Sequence, residues 1–286
     1  MWSKESLEGF TFGVHALGAI NGITFTNSLD AFLLWYKNGI KMFEVDIERT
    51  DDGEYVACHI FKKNIFEQME LSNVPSVCTK EWFLEQKLYP KSTSGLNTLD
   101  LEGLFKLLRQ YSDCMIMIDP KVYSYDLTKE LLVKIEGYIN EYNIDGKRIV
   151  FELYNRDMIE AISQFENMVQ FQYCIDDEIQ MGTSSEIRAL PLEVQLEILR
   201  QNEIHIISYP WKFAVERLEV LKKLKEEHFV IFSKTKNNIF SELLKKAGVN
   251  VNLVDYLINE QEEQDLQVYK ADYYAKYEAK IVDIFG

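Results

Sequence analysis

Short apolar runs alternate with amphipathic stretches along almost the whole chain. The run FTFGVHAL (10–17) precedes a helix over NSLDAFLLWYKNG, with Thr26 or Asn27 as its expected cap and Gly39 as its stop. MFEVDIERT follows, and the turn Asp51-Asp52-Gly53 leads into EYVACH, so the two segments read as a hairpin. Residues 60–97 carry no clear period. Thr98 is then the expected cap of the helix LDLEGLFKLLRQYS, which feeds the strand CMIMIDPK. Helices over 126–143, 156–165, 192–202, 213–227 and 239–247 alternate with the strands RIVFELY, VQFQYCI, IHIISYP, HFVIFSK and VNLVDYL.

Eight apolar runs precede or close these units. They are continuously apolar and β-branched instead of alternating, as strands covered on both faces are. Eight βα units in about 250 residues predict an α/β fold of the (β/α)8 TIM-barrel class. An open doubly wound sheet is the runner-up, but the first βα turn reads HALGAING and lacks a GxGxxG phosphate loop. The expected organisation is one barrel domain over 1–258, with an insertion at 60–97 after strand two. An acidic, Tyr-rich helical segment at 259–286 would be packed on or appended to it.

Composition narrows the partners. Of 286 residues, 31 are Lys or Arg and 46 Asp or Glu, a net charge of −15. Phosphate backbones attract basic surfaces, so nucleic acid and anionic membranes are not expected partners. An acidic chain still binds a small phosphate compound when a metal ion supplies positive charge locally. The N-terminal residues show no secretory signal, and no run of 18 apolar residues suggests an integral membrane segment. The four cysteines have no CxxC spacing, and Cys58, Cys114 and Cys174 lie in apolar runs as small buried hydrophobes. A cytoplasmic protein with reduced thiols is expected. Oligomeric state is not legible.

In such a barrel, functional groups belong at the C-terminal ends of the strands. Strand one ends at His15 and strand two carries Glu44 and Asp46, with His59 at the end of the returning hairpin strand. Strand three ends at Asp119 and Lys121, strand four at Glu152, strand six at Tyr209 and Trp211, and strand seven at Lys234. His205 and His228 instead begin strands, at the opposite face. Glu44 and Asp46 are two residues apart and share one face, between apolar Phe43, Val45 and Ile47. Burying such carboxylates is costly without a cation. Oxygen ligands without thiolate suit a divalent cation, Mg²⁺ or Ca²⁺. The competing reading is structural: Glu44 or Asp119 pairs with Lys121. A metal beside two histidines suggests phosphoryl-ester cleavage, one imidazole acting as base and the other as acid, with Lys121 adding fixed positive charge.

The stretch HALG…TNSLDAF…KMFEVDIERTDDGEYVACH resembles the N-terminal signature of the glycerophosphodiester phosphodiesterase family, a TIM-barrel group related to phosphatidylinositol phospholipases C. The matching positions are His15, Asn27, Glu44, Asp46, Thr50, Asp52-Gly53 and His59, and LNTLDLEGLFKLL and MIDPK resemble later motifs. The resemblance implies His15 and His59 as the catalytic acid/base pair and Glu44, Asp46 and Asp119 as metal ligands. Lys121, Glu152 and Trp211 are the expected contacts to a small phosphodiester substrate. The family's Arg after the first His is Ala16 here, its Glu before Asn27 is Thr26, its Asp after the second His is Ile60, and its third Glu ligand is Asp119. Ala16 removes a bidentate phosphate contact. The expected activity is therefore hydrolysis of a glycerophosphodiester-like compound. Two alternatives stay open: a diesterase or lyase for another phosphodiester, and a non-catalytic phosphoester-binding relative.

Overall fold

A computed structural model describes residues 12–59, 68–71, 75–165, 168–174, 190–209, 218–257 and 267–285. Among them, eight strands follow one another round the sheet in chain order: β1 (Phe12–Val14), β2 (Met42–Arg49), β6 (Met115–Pro120), β7 (Ile149–Leu153), β8 (Gln170–Cys174), β9 (Ile206–Ser208), β10 (Val230–Asn237) and β11 (Val251–Tyr256). With helices between them, they make the fold a (β/α)8 barrel of the TIM class, as the alternation predicts. The hairpin strand β3 (Tyr55–Ala57) pairs antiparallel with β2, and β4 (Lys87–Leu88) with β5 (Leu96–Asn97). The helices are α1 (Leu29–Lys37), α2 (Lys80–Glu85), α3 (Leu101–Gln110), α4 (Tyr125–Tyr142), α5 (Arg156–Ile162), α6 (Leu192–Gln201), α7 (Leu218–Glu226), α8 (Ser241–Lys246) and α9 (Gln267–Phe285).

The chain divides into two compact units, of which the first is Val14–Gln170 and the second joins the residues before Val14 to those from Phe171 onward. In the first, β1, β2, β6 and β7 run parallel, with Val14 opposite Phe43, Asp46 opposite Asp119, and Ile118 opposite Phe151. The apolar strands are buried, and so are Leu104, Phe105 and Leu108 of α3, which packs on β3 and α4. Each such side chain contributes about 1.5–3 kcal/mol by leaving water. The described part of the insertion has a core of its own, in which Met69, Cys78, Phe83, Leu88 and Leu96 pack against Val56 and Cys58.

Two caps differ from expectation, for a physical reason. The N-cap of α1 is Ser28, whose hydroxyl accepts the Ala31 amide, because Asn27 is engaged by Asp46 and Thr26 donates to the Gly18 carbonyl. Likewise Asp100, not Thr98, caps α3 by accepting the Gly103 amide, while Thr98 donates to the Leu84 carbonyl.

In the second unit, β8–β11 pair parallel, with Cys174 opposite Ser208, Phe232 opposite Ser208, and Ser233 opposite Asn252. The acidic C-terminal segment contributes α9, which packs on α7 and α8. Tyr277 and Ile281 are buried, the Tyr274 hydroxyl accepts the Leu243 amide at 3.2 Å, and Glu278 pairs with Lys246. No described helix is long and apolar enough to cross a membrane. All four cysteines are buried and free.

Candidate active site

Every predicted site residue except Trp211 falls within Val14–Gln170; Trp211 lies outside the described residues. Tyr209 and Lys234 belong to the second unit. The site begins where β1 ends. Beyond Val14 the backbone turns sharply, with Ala16 (φ +49°) and Leu17 (φ +58°) left-handed and the Gly18 amide donating to the His15 carbonyl at 2.8 Å. Gly18 is irreplaceable in this turn: its φ is +95°, and a Cβ there would meet Trp35 at 2.2 Å. Asn21, Phe25 and Asn27 are also left-handed. So dense a cluster of uncommon backbone conformations marks a segment whose geometry is imposed by its surroundings.

The turn aims the Ala16 amide at Glu44, whose Oε2 accepts it at 2.5 Å and lies 3.6 Å from His15 Nε2. Glu44 and Asp46 are fully buried and point to one face of β2, as their spacing predicts. Asp119, the register partner of Asp46, is 3% exposed. Ligand oxygens of Glu44, Asp46 and Asp119 all lie within 4.8 Å of one another. The predicted acidic triad is therefore assembled.

Lys121 is also drawn in. Its ammonium lies 2.8 Å from Asp46 and 2.7 Å from Asp119 and is almost fully buried. The ion pair weighed as a structural alternative thus forms, but with Asp46 and Asp119 together. Among the described residues, it sets one lysine charge beside three carboxylates.

Burial resists ionisation of Asp46, yet Lys121, His59 and His15 outweigh it and hold the carboxyl well below its usual range. Burial pushes His59 below the ordinary imidazole value, helped by Lys121 and His15 and opposed by Asp46 and Asp119. The two imidazoles share a neighbour. Phe25 packs edgewise on His15, with ring centroids 4.8 Å apart, and on His59 at 5.4 Å.

Glu152 follows Phe151, the partner of Ile118, and so stands level with Asp119. It is fully buried and accepts the Tyr154 hydroxyl at 2.6 Å. Tyr154 in turn packs edgewise on Tyr123, centroids 5.8 Å apart, and burial raises the Tyr123 hydroxyl's pKa.

Several residues at the site were missed in the sequence. Asn27 clasps Asp46 twice: its Nδ2 donates to Asp46 Oδ2 at 2.7 Å, and its Oδ1 accepts the Asp46 amide at 3.0 Å. Nothing in the alternation shows this, although Asn27 is a motif position. Tyr154 had a visible signal, two residues past Glu152 and hence on the same face. Tyr123 and Phe25 had none.

The donor set fits a divalent cation: three buried carboxylates, no thiolate, and oxygens close enough to share one ion. Among the described residues this is the group that could hold a metal.

No protein-family model matches the sequence, and no curated protein sequence matches it significantly. Solved structures do match. A Silicibacter pomeroyi protein assigned as a glycerophosphoryl diester phosphodiesterase superposes with a TM-score of 0.69 at 15% identity, over 88% of this chain and 93% of its own. The fold is that of the glycerophosphodiester phosphodiesterases. An Oleispira antarctica phosphodiesterase, solved with the product sn-glycerol-3-phosphate, gives 0.66 at 14% identity over 89% of this chain and 96% of that one. A Thermotoga maritima glycerophosphodiester phosphodiesterase gives 0.59 at 17% over 86% and 94%. At these identities the likeness to glycerophosphodiester phosphodiesterases is one of fold.

Proposed function

We propose that this chain is a metal-dependent phosphodiesterase that hydrolyses a glycerophosphodiester-like substrate to an alcohol and a phosphomonoester. The observation that carries the reading is the buried triad Glu44, Asp46 and Asp119, its ligand oxygens within 4.8 Å of one another, beside two imidazoles packed on one phenyl ring. It stands on a fold shared with phosphodiesterases, one of which is solved with sn-glycerol-3-phosphate.

A Mg²⁺ or Ca²⁺ ion held by Glu44, Asp46 and Asp119 would act as a Lewis acid on a non-bridging phosphate oxygen. The remaining chemistry falls to the chain. Burial and the Lys121 charge leave His59 neutral near pH 7, ready to take the proton of the attacking group, either water or the substrate's own neighbouring hydroxyl. In the second case the cyclic phosphate formed is then opened by water to the phosphomonoester. As the new P–O bond forms and the bond to the alcohol breaks, His15 gives its proton to the departing alkoxide. Asn27 holds Asp46 in one orientation. The Lys121 ammonium faces charge developing on phosphorus-bound oxygens. Glu152, oriented by Tyr154, contacts the substrate's hydroxyl-bearing part.

A second reading has one observation in its favour. Ala16 stands where the family resemblance expects Arg, and its amide is spent on Glu44. That loss of a phosphate grip suits a different phosphodiester. We place the protein in the cytoplasm, consistent with four free buried cysteines. We also read 1–258 as the catalytic barrel and 259–286 as its appended segment.

The test is hydrolysis of glycerophosphocholine and a panel of other phosphodiesters, with and without EDTA. Metal-dependent release of alcohol supports the assignment, and the preferred diester separates the two readings. Turnover that EDTA leaves unchanged overturns the metal's role, and binding without turnover of any diester overturns the enzyme.

A further inference from the structure

The ring that both imidazoles share is held from the insertion. Phe25 is left-handed (φ +56°), which a bulky side chain adopts only when its surroundings impose it. Its carbonyl accepts the side-chain amide of Gln68 at 3.0 Å. Gln68, 6% exposed, uses its other end as well: Oε1 accepts from the Cys58 thiol at 3.8 Å, next to His59. Its own carbonyl accepts the Tyr89 amide at 2.5 Å, which ties it to the insertion. Cys58 is anchored too, its amide donating to the Asp46 carbonyl at 3.0 Å.

We propose that Gln68 is a positioning residue which, through Phe25 and Cys58, sets the separation of the His15 and His59 imidazoles. The inference rests on the phosphodiesterase reading and deepens it, giving the insertion a part in catalysis. A side-chain amide suits the place because it donates in one direction and accepts in the other. A carboxylate would lose the donor to the Phe25 carbonyl, and an apolar side chain would lose both bonds. Phe25 would then be free to leave its left-handed conformation, carrying its ring away from both imidazoles. An acid and a base that must act on opposite sides of one phosphorus tolerate little misplacement.

The test uses the full chain with saturating Mg²⁺. In Gln68→Met, kcat should fall ~10- to 100-fold while KM stays within about threefold, the scale expected of an ångström-sized misplacement. Histidine nitrogen resonances, recorded at one pH without substrate, should move for His15 and His59 and stay for His205 and His228. A kcat within twofold of the unsubstituted chain overturns the inference, as do unmoved His15 and His59 resonances or equal movement of all four histidines. Phe25→Leu is the second variant, needed if Gln68→Met fails to fold. It keeps the carbonyl that Gln68 holds but removes the ring, and it should lower kcat by a similar factor. The double variant should be no worse than the poorer single one, whereas multiplied losses overturn the idea. The resonances are read without turnover, so a chain that hydrolyses no diester defeats the phosphodiesterase reading and leaves this inference to be judged by them.

Discussion

Two sets of buried polar side chains sit in the strands of this barrel, and they differ in how their polarity is satisfied. In the second unit, Asn252 of β11 donates to Thr235 at 2.8 Å and to Ser241 at 2.9 Å, and Thr235 lies 2.8 Å from the Asn237 carbonyl it donates to. The set is neutral, and each of these donors ends on an acceptor. Such a network explains itself as structure. In the first unit, Glu44, Asp46 and Asp119 bring three carboxylates together, and the ammonium of Lys121 supplies one positive charge to them. Buried charge in excess is unfavourable unless protons or a cation join it. The two sets are almost equally inaccessible, so burial does not separate structural from functional polarity. Charge balance does.

If that contrast is sound, the largest effects come from disturbing the charged set and its imidazoles. His15→Ala or His59→Ala should lower kcat/KM by ~100-fold or more in a steady-state hydrolysis assay, the range for losing a general acid or base. EDTA should abolish turnover, and added Mg²⁺ or Ca²⁺ should restore it. Full activity in EDTA would mean that the carboxylates are balanced without a metal ion, and the contrast between the two sets would collapse. Next in size is Asn27→Ala. By releasing Asp46 it should weaken divalent-cation affinity, measured by calorimetric titration, by about 10- to 100-fold, as loss of an outer hydrogen-bond partner does.

How much of this was legible follows from what each residue depends on. Glu44, Asp46 and Asp119 could be read because strand periodicity puts the first two on one face, and parallel neighbours bring the third alongside. The barrel itself was legible for the same reason, through continuously apolar runs separated by helices. Asn27 could not be read as the partner of Asp46, nor Ser28 as the cap of α1, because both depend on the left-handed bends between Ala16 and Asn27. No hydrophobic pattern encodes those bends. Gln68 lies in a stretch without period, and its partners are 43 and 10 residues away in sequence. The start of α3 shifted to the side chain that accepts a free helix amide, as Asp100 does from Gly103.

The pH dependence sharpens the contrast at smaller scale. Hydrolysis needs His59 neutral, so kcat/KM should fall as pH drops through its folded-state pKa, and that limb should lie below the ordinary 6.5. Stability follows the same direction. Between the ordinary and the lowered value the unfolded chain binds more protons, so stability decreases as pH falls through this window. Asp46 acts lower down: its contribution is present above the ordinary carboxyl value of 3.8 and is lost as pH falls towards its depressed folded value. An acid limb at or above 6.5 would remove His59 as the base.

The smallest expected effect on activity is at the neutral network, and it is the most direct control on the comparison. Asn252→Ala deletes the amide that serves Thr235 and Ser241, both buried, while changing no charge. Leaving two hydroxyls short of a partner should cost about 1–3 kcal/mol in denaturant unfolding. Because Asn252 serves packing between β11, β10 and α8, kcat per folded molecule should stay within about twofold of the unsubstituted chain, a change under ~0.5 kcal/mol in barrier. A large fall in kcat at unchanged stability would show that neutral, self-satisfied polarity also takes part in the chemistry, and charge balance would no longer tell the two regions apart.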